Sequence, residues 1–204
     1  MSKKVSVAIL GSTGYVGIEL VKILSAHPKV DIVFLGTENS PNSSIKKFYE
    51  EIDDTKLPLT KLNSDFDCNY ADTVFLALPH GISNKYVERF YDKIQIIDLS
   101  ADFRLDNFEI YKKNYGDVHS VPNLINNFTY GLAEFYKDHL FNNKNIAVPG
   151  CYPTSILIPL IPLIQSNLIK NSNIIIDSKS EYSGAGKKFK LQNIKNQNDY
   201  NFFN

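Results

Sequence analysis

Two glycine loops and a cysteine lying just before a helix start are the stretches of this sequence best suited to chemistry. GSTGYVG, residues 11 to 17, directly follows the apolar run VSVAIL (5 to 10) and directly precedes the helical apolar spacing of Ile18 to Leu24. In such a place glycine permits a tight turn and close approach of a pyrophosphate, and a helix N-terminus meets its charge with N–H groups. Gly11, Ser12, Thr13, Gly14, Tyr15, Val16 and Gly17 are therefore candidate cofactor-binding residues. The spacing is G-x-x-G-x-x-G, and a loop of purely structural use is the alternative. A group for the adenosine ribose should follow the second apolar run, DIVFLG (31 to 36). Glu38 suits the 2′-hydroxyl of NAD, whereas Thr37, Asn39 and Ser40, with Lys46 or Lys47, suit the 2′-phosphate of NADP. The residue chemistry leaves both open.

VPGCYPTS, residues 148 to 155, holds the candidate nucleophile Cys151. Gly150 permits close approach, and a helix starting at about Pro153 points its N-terminus at the sulfur, which favours the thiolate. A buried structural cysteine is the competing reading. Cys68, in the polar stretch DFDCNYAD, lacks such a setting and reads as structural.

SGAGKK (183 to 188) offers Ser183 and Gly184 for wrapping an anionic or nicotinamide-bearing ligand, or else is a turn with solvated lysines. PHG (79 to 81) places Pro79 and His80 after a third apolar run, at the strand end where doubly wound sheets bind ligands. His80 either touches a cofactor or caps a turn. DLSADFRL (98 to 105) offers Arg104 to a carboxylate or phosphate, with a surface pair to Asp102 or Asp106 as the alternative.

These stretches must be held by regular elements. Apolar runs at 5 to 10 and 31 to 36 read as buried strands, and 73 to 78, 94 to 100 and 145 to 150 as further strands of the sheet, with helices over 18 to 24 and 83 to 92. That alternation predicts an α/β fold with a doubly wound parallel sheet. Residues 38 to 70 read as loops with short elements, and 104 to 143 as a long excursion without regular elements. Ser155 to Leu168 reads as an apolar helix bent by Pro159 and Pro162, and 173 to 180 as a further strand. A boundary near 150 separates a dinucleotide-binding domain, 1–150, from the beginning of a catalytic domain, 151–204.

Composition narrows the partners. Lys plus Arg equals Asp plus Glu at 22 each among 204 residues, so no basic excess points to nucleic acid. Two distant cysteines argue against a disulfide framework and a Cys-based zinc site, and no metal is expected. Gly11 interrupts the first apolar run before a signal-peptide core forms, and Ile156 to Ile164 falls short of the roughly 20 residues a membrane helix needs. The expected setting is the cytoplasm, with a small-molecule substrate.

Taken in order, GSTGYVG, FLALPHG, IDLSADFRL, YGLAE, PGCYPTS and SGAGKK resemble N-acetyl-gamma-glutamyl-phosphate reductase, a family of arginine biosynthesis related to aspartate-semialdehyde dehydrogenase. The resemblance runs over nearly the whole chain. It implies a Rossmann dinucleotide-binding domain followed by an α+β catalytic domain, NADP (NADPH) as cofactor, and a homo-oligomer. It implies that Cys151 attacks an acyl phosphate and expels phosphate, that hydride reduces the resulting thioester to a semialdehyde, and that Arg104 positions substrate. The implied preference for NADP favours Thr37, Asn39 and Ser40 over Glu38.

The sequence departs from the family in two places. Glu181 stands where the family has a glycine, and the chain ends at Asn204, before the family's His-Arg-His segment with its catalytic base. None of His27, His80, His119 or His139 matches that base. The expectation is a truncated piece of a working reductase, inactive alone, against a non-catalytic NADP-binding fragment or an aspartate-semialdehyde dehydrogenase.

Overall fold

The computed structural model of the chain describes residues 3–116 and 119–179. Two compact units divide it, Met1–Thr154 and Ser155–Asn204. The first is built on a sheet of seven strands: β1 (Val5–Leu10), β2 (Val30–Thr37), β3 (Thr60–Leu62), β4 (Thr73–Leu76), β5 (Gln95–Asp98), β6 (Thr129–Tyr130) and β7 (Asn145–Ala147). Their order is β3-β2-β1-β4-β5-β7-β6, and every pairing is parallel. The expected doubly wound parallel sheet is present. Chain direction leaves β1 toward β2 on one side and β4 on the other, so the topological switch point lies between β1 and β4.

Alternation in β1 feeds two cores. Val7 and Ile9 join one cluster with Val21 of helix α1 (Tyr15–Ser25), whereas Ala8 and Leu10 join the other with Val87 and Phe90 of helix α2 (Ser83–Phe90). A strand so placed must be apolar on both faces, and Val7 through Leu10 are all at most 2% exposed. The register of β2 shifts opposite Val7 and Ala8, leaving Val33 exposed and returning Phe34 and Leu35 to opposite cores. Phe34 and Phe66 lie tilted to each other at 5.1 Å, and Phe66 meets Phe90 of α2 edge to face at 5.3 Å.

Several elements differ from the sequence reading. Residues 104 to 143 hold helices α3 (Phe108–Tyr115) and α4 (Ala133–Phe141), a 3-10 turn at Pro122–Asn127, and β6. Asn107 starts α3 by accepting the Ile110 N–H at 2.9 Å. Helix α5 (Cys151–Gln165) begins at Cys151 itself, two residues before Pro153, because Thr154 N–H already donates to Gly150 O at 3.0 Å. It continues through Pro159 and Pro162. The expected strand at 173 to 180 is not formed over residues 173–179: no described residue pairs with it, and Ile175 is 95% exposed. A strand exists only against a neighbour, so apolar content alone overstated it. Among the described residues no helix is long and apolar enough to cross a membrane.

Candidate functional site

Because the strands run parallel, the segments leaving β1, β2, β4, β5 and β7 all emerge at one edge of the sheet. The glycine loop leaves β1 there. Gly11 has φ +79°, and a Cβ on it would lie 2.2 Å from Ala77 O, just beyond β4. A Cβ on Gly17 would lie 2.1 Å from Gly11 O, so the loop closes tightly over the start of α1. Gly14, the residue before the helix, has only Gly11 O near, at 3.3 Å. The result is a glycine-walled turn that presents the first turn of α1, with Tyr15 and Val16 exposed beside it. That cradle fits the pyrophosphate of a dinucleotide.

Side chains beneath the loop hold its shape. Ser12 directs both its N–H and its hydroxyl to Gly36 O at 2.8 Å, so this buried residue anchors the loop to β2. Asn63 Oδ1 accepts the Gly11 N–H at 3.0 Å. Its own turn is fixed by Arg89, whose guanidinium donates to Ser64 O and Phe66 O. Thr13 and Thr37 bring their hydroxyls to 3.1 Å, which places buried Thr37 at the loop. Ser40 lies in the segment after β2, and its carbonyl accepts from Thr60 Oγ1 at 2.5 Å. Glu38 is exposed.

Across the switch point, Pro79, His80 and Gly81 leave the region of β4. Asp102 holds this loop from beneath: Oδ1 lies 2.7 Å from His80 Nδ1 and accepts the Gly81 N–H at 2.8 Å, while Oδ2 accepts the Asn84 N–H at 3.0 Å. Asp102 is completely buried, so the surface pair with Arg104 expected as an alternative does not exist. His80 Nε2 meets the Tyr111 hydroxyl at 3.3 Å, and burial pushes that phenol up to about 12. His119 packs edge-on to Tyr111 and Phe103; its Nδ1 accepts from Val121 N–H, and its Nε2 lies 3.0 Å from Asp102 O. Burial lowers its pKa, consistent with a neutral ring.

Cys151 is exposed and opens α5 immediately after β7 and the turn 148–150. It is not a buried hydrophobe. Arg104 does not lie free for a ligand on all sides: Nε donates to Val148 O and Nη2 to Leu99 O, both at 2.7 Å. It thereby ties the ends of β5 and β7 together. A Cβ on Gly150 would stand 3.0 Å from Nη1, so the glycine before Cys151 makes room for the guanidinium. Arg104 also borders a cavity of about 260 Å³ with Phe103, Asn126 and Tyr130. Burial raises the Tyr130 phenol and the nearby Arg104 charge offsets part of that rise.

The structure thus brings the 11–17 loop, Thr37 and the 79–81 loop to the switch point, and Arg104 to the residue preceding Cys151. Ser183, Gly184 and Glu181 lie outside the described residues. Cys68 sits half-buried in a 3-10 turn against the core. Asn63 and the buried role of Asp102 escaped the sequence reading, since a lone polar residue carries no spacing that announces its burial. Among the described residues no cluster of His, Cys, Asp or Glu can hold a metal.

The profile described as Semialdehyde dehydrogenase, NAD binding domain matches residues 6–143, and that described as Semialdehyde dehydrogenase, dimerisation domain matches residues 151–203. N-acetyl-gamma-glutamyl-phosphate reductase of Ehrlichia canis (strain Jake) is 46% identical over 195 residues, which are 95% of this chain and 56% of that protein. The chain therefore spans about half the length of the curated relatives it matches. Among solved structures, aspartate semialdehyde dehydrogenase II of Vibrio cholerae complexed with ASA superposes with a TM-score of 0.64 at 20% identity, over 92% of this chain and 49% of that one. Aspartate semialdehyde dehydrogenase of Candida albicans with NADP gives 0.53 at 16% identity, over 80% and 48%. At such identities the likeness is one of fold. With its glycine cradle at the switch point and a matching NAD-binding domain over 6–143, the chain belongs to the semialdehyde dehydrogenase family.

Proposed function

We propose that the protein carrying this chain reduces N-acetyl-gamma-glutamyl phosphate to the corresponding semialdehyde and releases inorganic phosphate. The observation that carries this reading is Cys151, exposed at the first position of α5 on the ligand-binding edge of a dinucleotide-binding sheet. The name of a relative 46% identical in sequence supplies the substrate.

The chain's own residues account for the first half of the chemistry. Cys151 opens α5 with its side chain exposed, so its sulfur is within reach of a substrate. The thiolate adds to the acyl carbon, and the carbon–oxygen bond to phosphate breaks, leaving a thioester on Cys151 and free phosphate. Arg104, fixed by Leu99 O and Val148 O, holds the turn that delivers Cys151 and brings a positive charge to the anionic substrate. A bound reduced nicotinamide dinucleotide supplies the hydride that the thioester needs. It would be held by the 11–17 loop, Thr37, Ser40 and the 79–81 loop, with Ser183 and Gly184 from the later glycine loop. NADP is the cofactor proposed, supported by the hydroxyls that end β2 and by the NADP present in one fold neighbour. A homo-oligomer is proposed from the dimerisation-domain match.

The test is the reverse reaction. The protein should reduce NADP with N-acetylglutamate semialdehyde only when inorganic phosphate is present, and Cys151→Ser should lower the rate on the order of a thousandfold. Full activity in the serine variant, or turnover independent of phosphate, would rule the reading out.

A further inference from the structure

Asp102 is a completely buried carboxylate: Oδ1 meets the loop leaving β4 at His80 and Gly81, and Oδ2 accepts from Asn84 N–H in the first turn of α2. That loop stands across the switch point from the glycine cradle, with Ala77 O packed on Gly11. We propose that Asp102 is a positioning residue for the dinucleotide: through His80 and Gly81 it fixes the second wall of the cleft. The inference rests on the dinucleotide reading of the 11–17 loop.

The hydrogen-bond directions set the form of the imidazole. Asp102 can only accept, so the proton of a neutral His80 sits on Nδ1, and Nε2 accepts from the Tyr111 hydroxyl. The ring is held at both nitrogens, with Tyr115 against it at 4.7 Å. Its side chain nonetheless stays 37% exposed. A ring clamped at both ends yet open on one side is placed to present a fixed surface rather than to shuttle a proton. Oδ1 also takes the Gly81 N–H, where φ is +76°, so the backbone turn and the ring orientation share one acceptor. Losing that acceptor frees both together.

Asp102→Asn tests this. An amide can still accept from Asn84 N–H, but its NH₂ meets two donors, and relief comes if the His80 proton moves to Nε2. Nitrogen NMR should therefore report an Nδ1–H tautomer in the unaltered protein and Nε2–H in the variant. Titration of NADPH and of NADH well below the melting temperature should show about tenfold weaker binding in the variant. His80→Ala should weaken binding similarly or less, and the double variant should bind no more weakly than Asp102→Asn alone, since losing the carboxylate already frees both His80 and Gly81. Tyr111→Phe, which keeps the ring, should show a smaller loss in the same direction and covers the case in which Asp102→Asn fails to fold. A lower melting temperature with unchanged dinucleotide affinity, or additive losses in the double variant, would overturn the proposal and leave Asp102 a structural cap. Failure of the unaltered protein to bind either dinucleotide would instead overturn the reading of the cleft, and this inference with it.

Discussion

Arg104 Nε donates to the Val148 carbonyl at 2.7 Å, three residues before Cys151. With its second bond to Leu99 O, the guanidinium spans the ends of two neighbouring strands and fixes the turn that carries the thiol. Arg104→Lys keeps the charge but cannot form this fork. Hydrogen bonds from charged groups are worth about 1.5–3 kcal/mol, so kcat/KM should fall roughly tenfold to a hundredfold. Gly150→Ala, which crowds Nη1, should give a loss that is not additive with Arg104→Lys. Steady-state kinetics of the two single variants and the double variant check this; wild-type kcat/KM in Arg104→Lys would contradict it.

The three loop glycines should rank by what a methyl group meets. Gly17→Ala puts its Cβ 2.1 Å from backbone oxygen, and Gly11→Ala adds a positive φ to a 2.2 Å approach. Both should cost several kcal/mol and abolish dinucleotide binding. Gly14→Ala, 3.3 Å from Gly11 O and without positive φ, should fold with a melting temperature near that of the parent. Thermal melts beside dinucleotide titrations read both effects, and a Gly17→Ala protein that binds normally would refute the cradle.

What the sequence revealed and what it concealed have a common cause. Strands β1, β2 and β4 were legible because a largely buried strand reads as an apolar run, and β5 by the Ile96–Ile97 pair within it. β6, only Thr129–Tyr130, and β3, Thr60–Leu62, exist by pairing with neighbours and carry no pattern of their own. α3 did leave a signal, an Asn107 cap with Glu109 in the first turn, masked by the polar and aromatic residues around it. At the site, glycine spacing pointed to the tight turn at residues 11–17, and the stretch 148–155 to a helix starting near Cys151. Asn63 and Asp102 stayed hidden because burial of a single polar residue is decided by partners far away in the chain, Gly11 and His80 here.

Stability should fall across the mildly acidic range as Asp98 ionises. Burial pushes this carboxyl from 3.8 up to about 6, against hydrogen bonds from Ser100. The folded state then binds the proton more tightly than the unfolded chain. The contribution is complete below about pH 3.9 and is lost as pH rises through about 6. At about 1.4 kcal/mol per tenfold step it amounts to roughly 3 kcal/mol at most. His119, lowered by burial, acts in the opposite sense, adding stability above about 6.5 that is lost as pH falls through its folded value. Asp98→Asn should raise the melting temperature at neutral pH and leave acid destabilisation steeper, as His119 alone would make it. Melts at about pH 5 and pH 7.5 decide; an unchanged pH profile would contradict the burial of an ionising Asp98.

The central claim is a covalent bond to Cys151, and it can be weighed. The protein should be mixed with N-acetyl-gamma-glutamyl phosphate without reduced dinucleotide, quenched in acid and measured by intact and peptide mass spectrometry. The account predicts a mass gain equal to one N-acetylglutamyl group, on the peptide containing Cys151, with one phosphate released per protein and neither in Cys151→Ser. Phosphate release with no adduct, or an adduct on the Cys68 peptide, would show that the exposed thiol at the head of α5 is not the nucleophile.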